Sequence, residues 1–376
     1  MGYDVVVVGG GPAGSSCARV LAQRGARVLL IEKRKFPRPK PCGGCLSERI
    51  APYLPEGWTS TVVSEIRGGV LGYRGEFTER EAGERIASVV DRSGFDLFLL
   101  KEAEKAGADV REGVSFLGLE EKPLRIHTTE GTFSADFLVG ADGFYSRVRK
   151  HLGFPGRRYF RSLECSAKLT LKDRVILELG VVSRGYLWIF PRGREASVGV
   201  ATTGRENLLE VLDRHFRNHP LFGKVNLGKP RGWMIPFILK KEEAFLGRDR
   251  ILLTGDAADL TDPLLGEGIF YAVRSGLMAG EFLSTGKPEG YREAVLEEIV
   301  PELVYAGKIA ALAYSFQGIA FRMGAGPAME RLFALLRGEE TFRGVYRKGL
   351  PEFLFTAFAA AGGALFNRIV DRILRR

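Results

Sequence analysis

Tyr3-Asp4-Val5-Val6-Val7-Val8-Gly9-Gly10-Gly11-Pro12-Ala13-Gly14 opens the chain and decides how its first domain folds. Val5 to Val8 are apolar and β-branched, the composition of a short parallel strand buried on both faces. Gly9, Gly11 and Gly14 then satisfy G-x-G-x-x-G, Ala13 to Arg24 have helical composition, and Arg27 to Glu32 return to a strand. Strand, glycine turn, helix and strand within about thirty residues form the context that raises a glycine motif above chance. The first glycine permits the tight turn, the second lets backbone approach a pyrophosphate, and the third lets helix pack closely on strand. Free N–H groups and the positive dipole at the helix start favour a diphosphate. Glu32 ends the second strand, where a carboxylate accepts hydrogen bonds from an adenosine ribose. A dinucleotide site is therefore expected at Gly9, Gly11, Gly14 and Glu32.

Outward from this turn, 376 residues exceed the usual length of one domain and predict two intertwined domains. Fifty-five Lys and Arg against 45 Asp and Glu give a formal charge of +10, which favours an anionic partner: a phosphorylated cofactor, a phospholipid or diphosphate head group, or an acidic membrane surface. Nucleic acid has no motif support. Cys17, Cys42, Cys45 and Cys165 are too few and scattered for a secreted disulfide framework, which predicts a reducing, cytoplasmic compartment. Only Met1 and Gly2 precede the first strand, so no signal peptide is expected.

A basic, proline-rich loop (Phe36 to Pro41) follows the first unit, and Val62 to Phe77 alternate as strands at the edge of a second sheet. Asp91 to Ala106 carry apolar residues at helical spacing, stopped by Gly107. Ala135 to Gly140 read as a buried strand. Glu164 to Thr202 hold three strand-like runs between glycine turns, Val175 to Leu179, Tyr186 to Phe190 and Ala196 to Ala201. Ile251 to Thr254 restore a parallel-type strand ending in Gly255-Asp256, and Glu267 to Leu283 read as helix. This second carboxylate and second helix start suit the ribityl and isoalloxazine end of a longer cofactor, FAD rather than NAD. The expected fold is α/β, α+β overall. A discontinuous Rossmann-like FAD-binding domain (1–60, 86–155 and 240–290) carries an inserted, mainly antiparallel sheet domain for substrate (61–85 and 156–239). A helical region (291–376) ends it. No segment reads as a transmembrane span. Phe353 to Phe366 is shorter than the roughly 20 residues a bilayer core needs, but Arg368, Arg372, Arg375 and Arg376 behind it suit a membrane interface as well as intramolecular packing.

GGGPAG, Ala141-Asp142-Gly143 with Ser146 and Arg149, and Gly255-Asp256-Ala257-Ala258 with its downstream Pro263 and Gly266 resemble the flavoprotein class typified by p-hydroxybenzoate hydroxylase. Within it, Lys40-Pro41-Cys42-Gly43-Gly44, Asp91-Arg92 with Phe95-Asp96, Gly185 to Pro191 and Pro263 to Ile269 resemble the geranylgeranyl reductase family, from the N-terminus to about Leu283. That resemblance implies an enzyme that hydrogenates isolated double bonds in prenyl chains of a lipid, quinone or diphosphate. It implies FAD contacts at Ala13, Glu32, Cys42, Gly43, Arg92, Asp256, Gly268 and Ile269. Arg92 suits the diphosphate, and the N–H groups of Gly268 and Ile269 suit negative charge near reduced flavin.

Tyr186, Trp188 and Phe190 lie two apart on one strand and share a face. Such a wall is commonly core; the resemblance assigns it to a prenyl channel. Cys42, Tyr186 or a water is expected as proton donor. Cys42 and Cys45 form a CxxC without a second ligand pair, so no metal is expected, and His215 with His219 read as a solvated helix face. The electron donor is left open among NADPH, ferredoxin and deazaflavin, with no second G-x-G-x-x-G for a nicotinamide. The oligomeric state is likewise left open. The alternative chemistry is a monooxygenase or halogenase on the same fold, for which Lys40 is the motif-adjacent lysine.

Overall fold

A computed structural model describes residues 2–154, 156–356 and 359. Its first sheet grows from the opening strand, Gly2–Val8, whose last four residues are buried. Val28–Glu32 and Gly131–Gly140 flank it in parallel, and Asp109–Glu112 and Ile251–Leu253 extend the parallel set outward. The register sets Val8 against both Ile31 and Gly140, and Gly140 against Leu253. Gly9, Glu32, Ala141 and Thr254 consequently emerge side by side at the carboxyl edge. Strand order reverses between Gly2–Val8 and Gly131–Gly140, and the crevice at such a reversal is where open α/β sheets bind ligands. The antiparallel strands Phe116–Glu121 and Leu124–Thr128 continue the sheet from Gly131–Gly140.

The second sheet has seven strands in the order Arg231–Phe237, Arg158–Ala167, Glu195–Thr202, Gly185–Arg192, Arg174–Leu179, Gly68–Tyr73 and Glu76–Glu81. All neighbours are antiparallel except Arg174–Leu179 with Gly68–Tyr73. The Val62 to Phe77 stretch divides between two sheets: Val62–Ile66 pairs with Ala87–Val90, and through it with Cys45–Ser47, whereas Gly68 onward joins the large sheet. Arg67 makes the switch, its N–H donating to the Asp173 carbonyl.

The helix Pro12–Gln23 packs on Ile269–Leu283 through glycines; a Cβ on Gly276 would lie 2.2 Å from the Ala13 carbonyl oxygen. The later helix begins at Ile269 with Gly268 as its cap, two residues beyond the expected start, because Asp262 ties the preceding residues into a loop. Beyond it run Pro288–Ala294, a π-turn at Val295–Ile299, Val300–Ser315, Gln317–Gly324 and Pro327–Arg337, and residues 342–356 are helical. Among the described residues no single helix is long and apolar enough to cross a membrane; the apolar stretch Pro288–Ser315 turns by 107° into Gln317–Gly324. Most of the Phe353 to Phe366 stretch, and the arginines behind it, lie outside the described residues.

Candidate active site

Gly9 sits at φ +108°, in the region that favours glycine, and a Cβ there would lie 2.4 Å from the Ala141 carbonyl oxygen. A Cβ on Gly14 would lie 1.9 Å from the Gly9 carbonyl oxygen, so helix and turn pack at backbone contact. Gly11 faces open space except for the Arg38 guanidinium at 3.7 Å from its notional Cβ. Glu32 is 6% exposed and accepts the Gly10 N–H at 2.9 Å and the Arg34 N–H at 3.0 Å.

From Glu32 a ladder of alternating charge leads along the crevice. Arg38 lies 3.8 Å from Glu32 and 3.3 Å from Asp96; Asp96 takes two hydrogen bonds from Arg92, at 2.8 and 2.9 Å; and Arg92 and Cys42 both line the cavity. Arg92 is thus matched to Asp96 as well as lining the cavity. The Cys42 sulfur accepts the Gly44 N–H at 3.4 Å, and burial pushes the Cys45 thiol far above its usual range.

At the far end, Asp256 lies 3.6 Å from Lys40. Asp262, fully buried, accepts the N–H groups of Leu264, Leu265 and Glu267 at 2.8, 2.7 and 2.9 Å, which fixes the loop leading to Gly268 and Ile269. Burial pushes its carboxyl up to about 6, with Glu267 adding repulsion. The hydroxyls of Tyr186 and Tyr314 donate to the carbonyls of Leu265 and Leu264, so both rings hold the same loop. Burial pushes the Tyr186 hydroxyl far above its usual range. Glu267 turns away from the cavity loop to meet Ser47 and Arg49, and Arg49 stacks over Phe270 at 4.1 Å.

Tyr186, Trp188 and Phe190 form one wall with ring centroids 6.1 and 6.3 Å apart. Phe190 presses on Gly43, where a Cβ would lie 2.7 Å from its ring. Wall, loop and glycine turn enclose a single cavity of about 570 Å³. Of the residues expected from sequence, Gly9, Gly11, Ala13, Glu32, Cys42, Gly43, Arg92, Asp256, Gly268, Ile269, Tyr186, Trp188 and Phe190 all line it; Gly14 instead packs beneath the turn. Sequence reasoning did not single out Arg38, Thr254, Glu164 or Tyr314, which also line it. Arg38 carried a signal as the arginine of a basic loop shortly after Glu32; the others depend on contacts between separate strands, loops and helices, such as Glu164 with Ser197 and Tyr314 with Leu264.

This donor set fits FAD. Asp142 Oδ1, Thr254 Oγ1 and Arg38 Nε are buried in lining residues without a hydrogen-bond partner among the described residues. Such groups are costly unless a ligand satisfies them. Arg149 holds the two sides of this region together, donating to the Ala257 carbonyl at 3.0 Å and pairing with Asp259 at 2.8 Å.

The histidine pair departs from expectation. His219 is 1% exposed and lies beyond the helix Leu208–Phe216; its Nε2 and that of His215 meet Glu178, at 2.7 and 3.2 Å. Glu178 comes from a different strand, which spacing along the helix cannot reveal. The Leu221 N–H donates to His219 Nδ1 at 3.1 Å, which puts the ring proton on Nε2, facing Glu178. The trio is therefore a hydrogen-bonded clasp, with no lone pair on that nitrogen for a metal.

A family model described as an FAD binding domain matches residues 2–179. The chain is 32% identical to a digeranylgeranylglycerophospholipid reductase of Thermoplasma volcanium, over 74% of this chain and 77% of that one. It is 30% identical to one of Methanocaldococcus jannaschii, over 79% and 81%. Among solved structures, a geranylgeranyl bacteriochlorophyll reductase-like protein of Thermoplasma acidophilum superposes with a TM-score of 0.77 at 24% identity, covering 99% of both chains. A flavin-dependent brominase shares the fold at a TM-score of 0.73 and 18% identity, over 94% of this chain and 99% of that one. With the relatives' identity and coverage added to the glycine turn, the Asp256 segment and the shared cavity, the chain belongs to the geranylgeranyl reductase family of FAD-dependent oxidoreductases.

Proposed function

We propose that this enzyme hydrogenates isolated carbon–carbon double bonds of a prenyl, geranylgeranyl-type chain carried on a lipid, quinone or diphosphate. The observation that carries the reading is the continuity of the cavity. It runs from Gly9 and Glu32, past Cys42 and the aromatic wall, to an apolar end formed by Leu312, Met323, Met329 and Phe333. An apolar end of this kind suits a branched hydrocarbon and has little to offer a polar aromatic substrate. The names of the relatives support the same substrate class.

Bound FAD supplies hydride once an external donor has reduced it. The chain's own residues do the rest: Glu32 and the amides of the glycine turn hold the adenosine end, and the Asp262 loop holds Gly268 and Ile269 toward the reactive end. Tyr186, Trp188 and Phe190 orient the unactivated bond and exclude water. Cys42, beside the ladder's end, and Tyr186 are the proton donors suggested by the sequence. A prenyl lipid resides in a membrane, so the enzyme works at the cytoplasmic membrane face. The net charge of +10 and an exposed Phe355 support this.

The test is anaerobic incubation of the reduced holoprotein with a geranylgeranyl glycerolipid, read by mass spectrometry. The expected product gains one hydrogen molecule per bond reduced. A product that gains an oxygen atom and forms only with oxygen present points to the monooxygenase class and overturns the reading.

A further inference from the structure

Glu164 is the lining residue whose chemistry is still unused. It lies on Arg158–Ala167, is 8% exposed, and lines the same cavity as the aromatic wall. The register sets Glu164, Gly199 and Trp188 in line across three neighbouring strands, Glu164 opposite Gly199 and Gly199 opposite Trp188. Gly199 has no side chain, and the indole fills its place: a Cβ there would lie 2.1 Å from the Trp188 ring. Trp188 Nε1 is 3.4 Å from Ser197 Oγ, and Ser197 Oγ–H donates to Glu164 Oε1 at 3.2 Å. Arg192 donates to the Cys42 carbonyl at 2.9 Å and reaches the same Oε1 at 3.4 Å. The carboxyl therefore stands one guanidinium away from the Cys42-Gly43 segment. Glu164 Oε2 has no hydrogen-bond partner among the described residues.

A buried carboxylate with one long cation contact and one hydroxyl is costly in its charged form. Burial accordingly raises the Glu164 carboxyl above its usual range, and Arg192, Ser197 and the more distant Arg231 offset only part of that. These groups, from the strands Gly185–Arg192, Glu195–Thr202 and Arg231–Phe237, are the charged and polar neighbours that face it. Protonating an unactivated alkene carbon calls for a strong acid. A carboxyl is intrinsically a far stronger acid than a thiol or a phenol, the groups that Cys42 and Tyr186 carry, and the Tyr186 proton is already engaged with the Leu265 carbonyl.

We propose that Glu164 is the proton donor of the reaction, its Oε2–H bond breaking as the proton passes to one alkene carbon while the other carbon takes hydride from reduced FAD. The π pair of the double bond forms the C–H bond to the proton, and the hydride pair forms the other. The alkene is reduced by two electrons and the flavin oxidised by two. Glu164 is left as a carboxylate, held by Arg192 and the Ser197 hydroxyl, and regains its proton from solvent. The inference rests on the alkene-reduction reading above.

Two measurements on the holoprotein test it, with Glu164→Gln and Glu164→Asp. Without substrate, infrared difference titration should show in the wild type a protonated carboxyl that persists above the ordinary glutamate range and is missing from Glu164→Gln, while FAD affinity is unchanged. With a geranylgeranyl glycerolipid, anaerobic reoxidation of the reduced flavin should slow on the order of 100-fold or more in Glu164→Gln. Glu164→Asp should retain more activity, and the wild-type rate should fall as pH rises through the infrared transition while the Gln variant's stays flat. A Glu164 ionised throughout the neutral range overturns the inference, even if Glu164→Gln fails to fold. So does a Glu164→Gln rate within roughly threefold of wild type. A wild type that reduces no prenyl lipid overturns the substrate reading instead, whatever the titration shows.

Discussion

At position 199 the large sheet leaves a gap one side chain wide, and Trp188 lies across it. Glycine weakens a strand interior, and here its use is the close approach of a large ring. Gly199→Ala puts a methyl group 2.1 Å from the present ring position, so the indole must move. The expected outcome is a loss of about 1–3 kcal/mol in unfolding free energy from overpacking. Chemical denaturation checks the loss, and a shift in tryptophan emission reports the displaced ring. The alternation of Tyr186, Trp188 and Phe190 was legible in the sequence because a strand repeats every two residues. The glycine that accommodates Trp188, and Glu164 beyond it, were not, since both act across strands whose register no local pattern encodes. The place of Glu32 was legible for the opposite reason: it ends a strand tied directly to the turn, where it accepts the Gly10 N–H.

The helix Leu208–Phe216 and the strand Arg174–Leu179 are joined by the Glu178 clasp, behind the substrate face. Burial acts to raise the Glu178 carboxyl, but hydrogen bonds from His215 and His219 outweigh it and hold it down at about 2. Because the folded value lies below the unfolded one, the unfolded chain binds more protons between about pH 4.5 and 2, and stability falls as pH drops through that window. Glu178→Gln should remove most of this acid-dependent slope, worth roughly 3 kcal/mol in the wild type. Urea denaturation at a series of pH values from 6 downward checks it; an unchanged slope in the variant would show that the clasp contributes nothing to acid sensitivity. At this scale the elements themselves were largely readable. Strand against helix followed from periodicity throughout the parallel sheet, whereas the division of Val62 to Phe77 between two sheets turned on Arg67 pairing with Asp173, a contact distant in sequence.

Across the whole molecule, two distant pieces of chain converge on Arg49. Its guanidinium pairs with Glu267 of the cofactor loop, hydrogen-bonds Ser47, and lies over Phe270 and Phe342, the last from the helical region. Removing one member of a buried pair leaves the other charged and unpaired, at a cost of about 3–5 kcal/mol. Arg49→Met should therefore lower stability by about that amount and release FAD, while Arg49→Met combined with Glu267→Gln should recover a large part of the loss. Thermal unfolding and flavin retention on gel filtration check both, and a double variant no better than the single one would show that the charges are not what couples these segments. The two-sheet architecture was visible in the sequence because the glycine turn and the Gly255-Asp256 segment mark the parallel sheet, while the strand-like runs of Glu164 to Thr202 between them mark the second. The helical region that closes the apolar end was read only as apolar helix, since its partner surfaces lie on the sheets.

The ladder Glu32, Arg38, Asp96, Arg92 carries two negative and two positive charges, each within reach of the next. Its sum is zero. Within the ladder, then, charge adds nothing net to the hold on the cofactor's diphosphate; that hold falls to the amide dipoles at the glycine turn, which act at short range, and to Lys33, Arg34 and Arg147, which line the same cavity. Flavin retention across a salt series should accordingly have a part that salt weakens, from those cations, and a part that it leaves intact, from the buried amides.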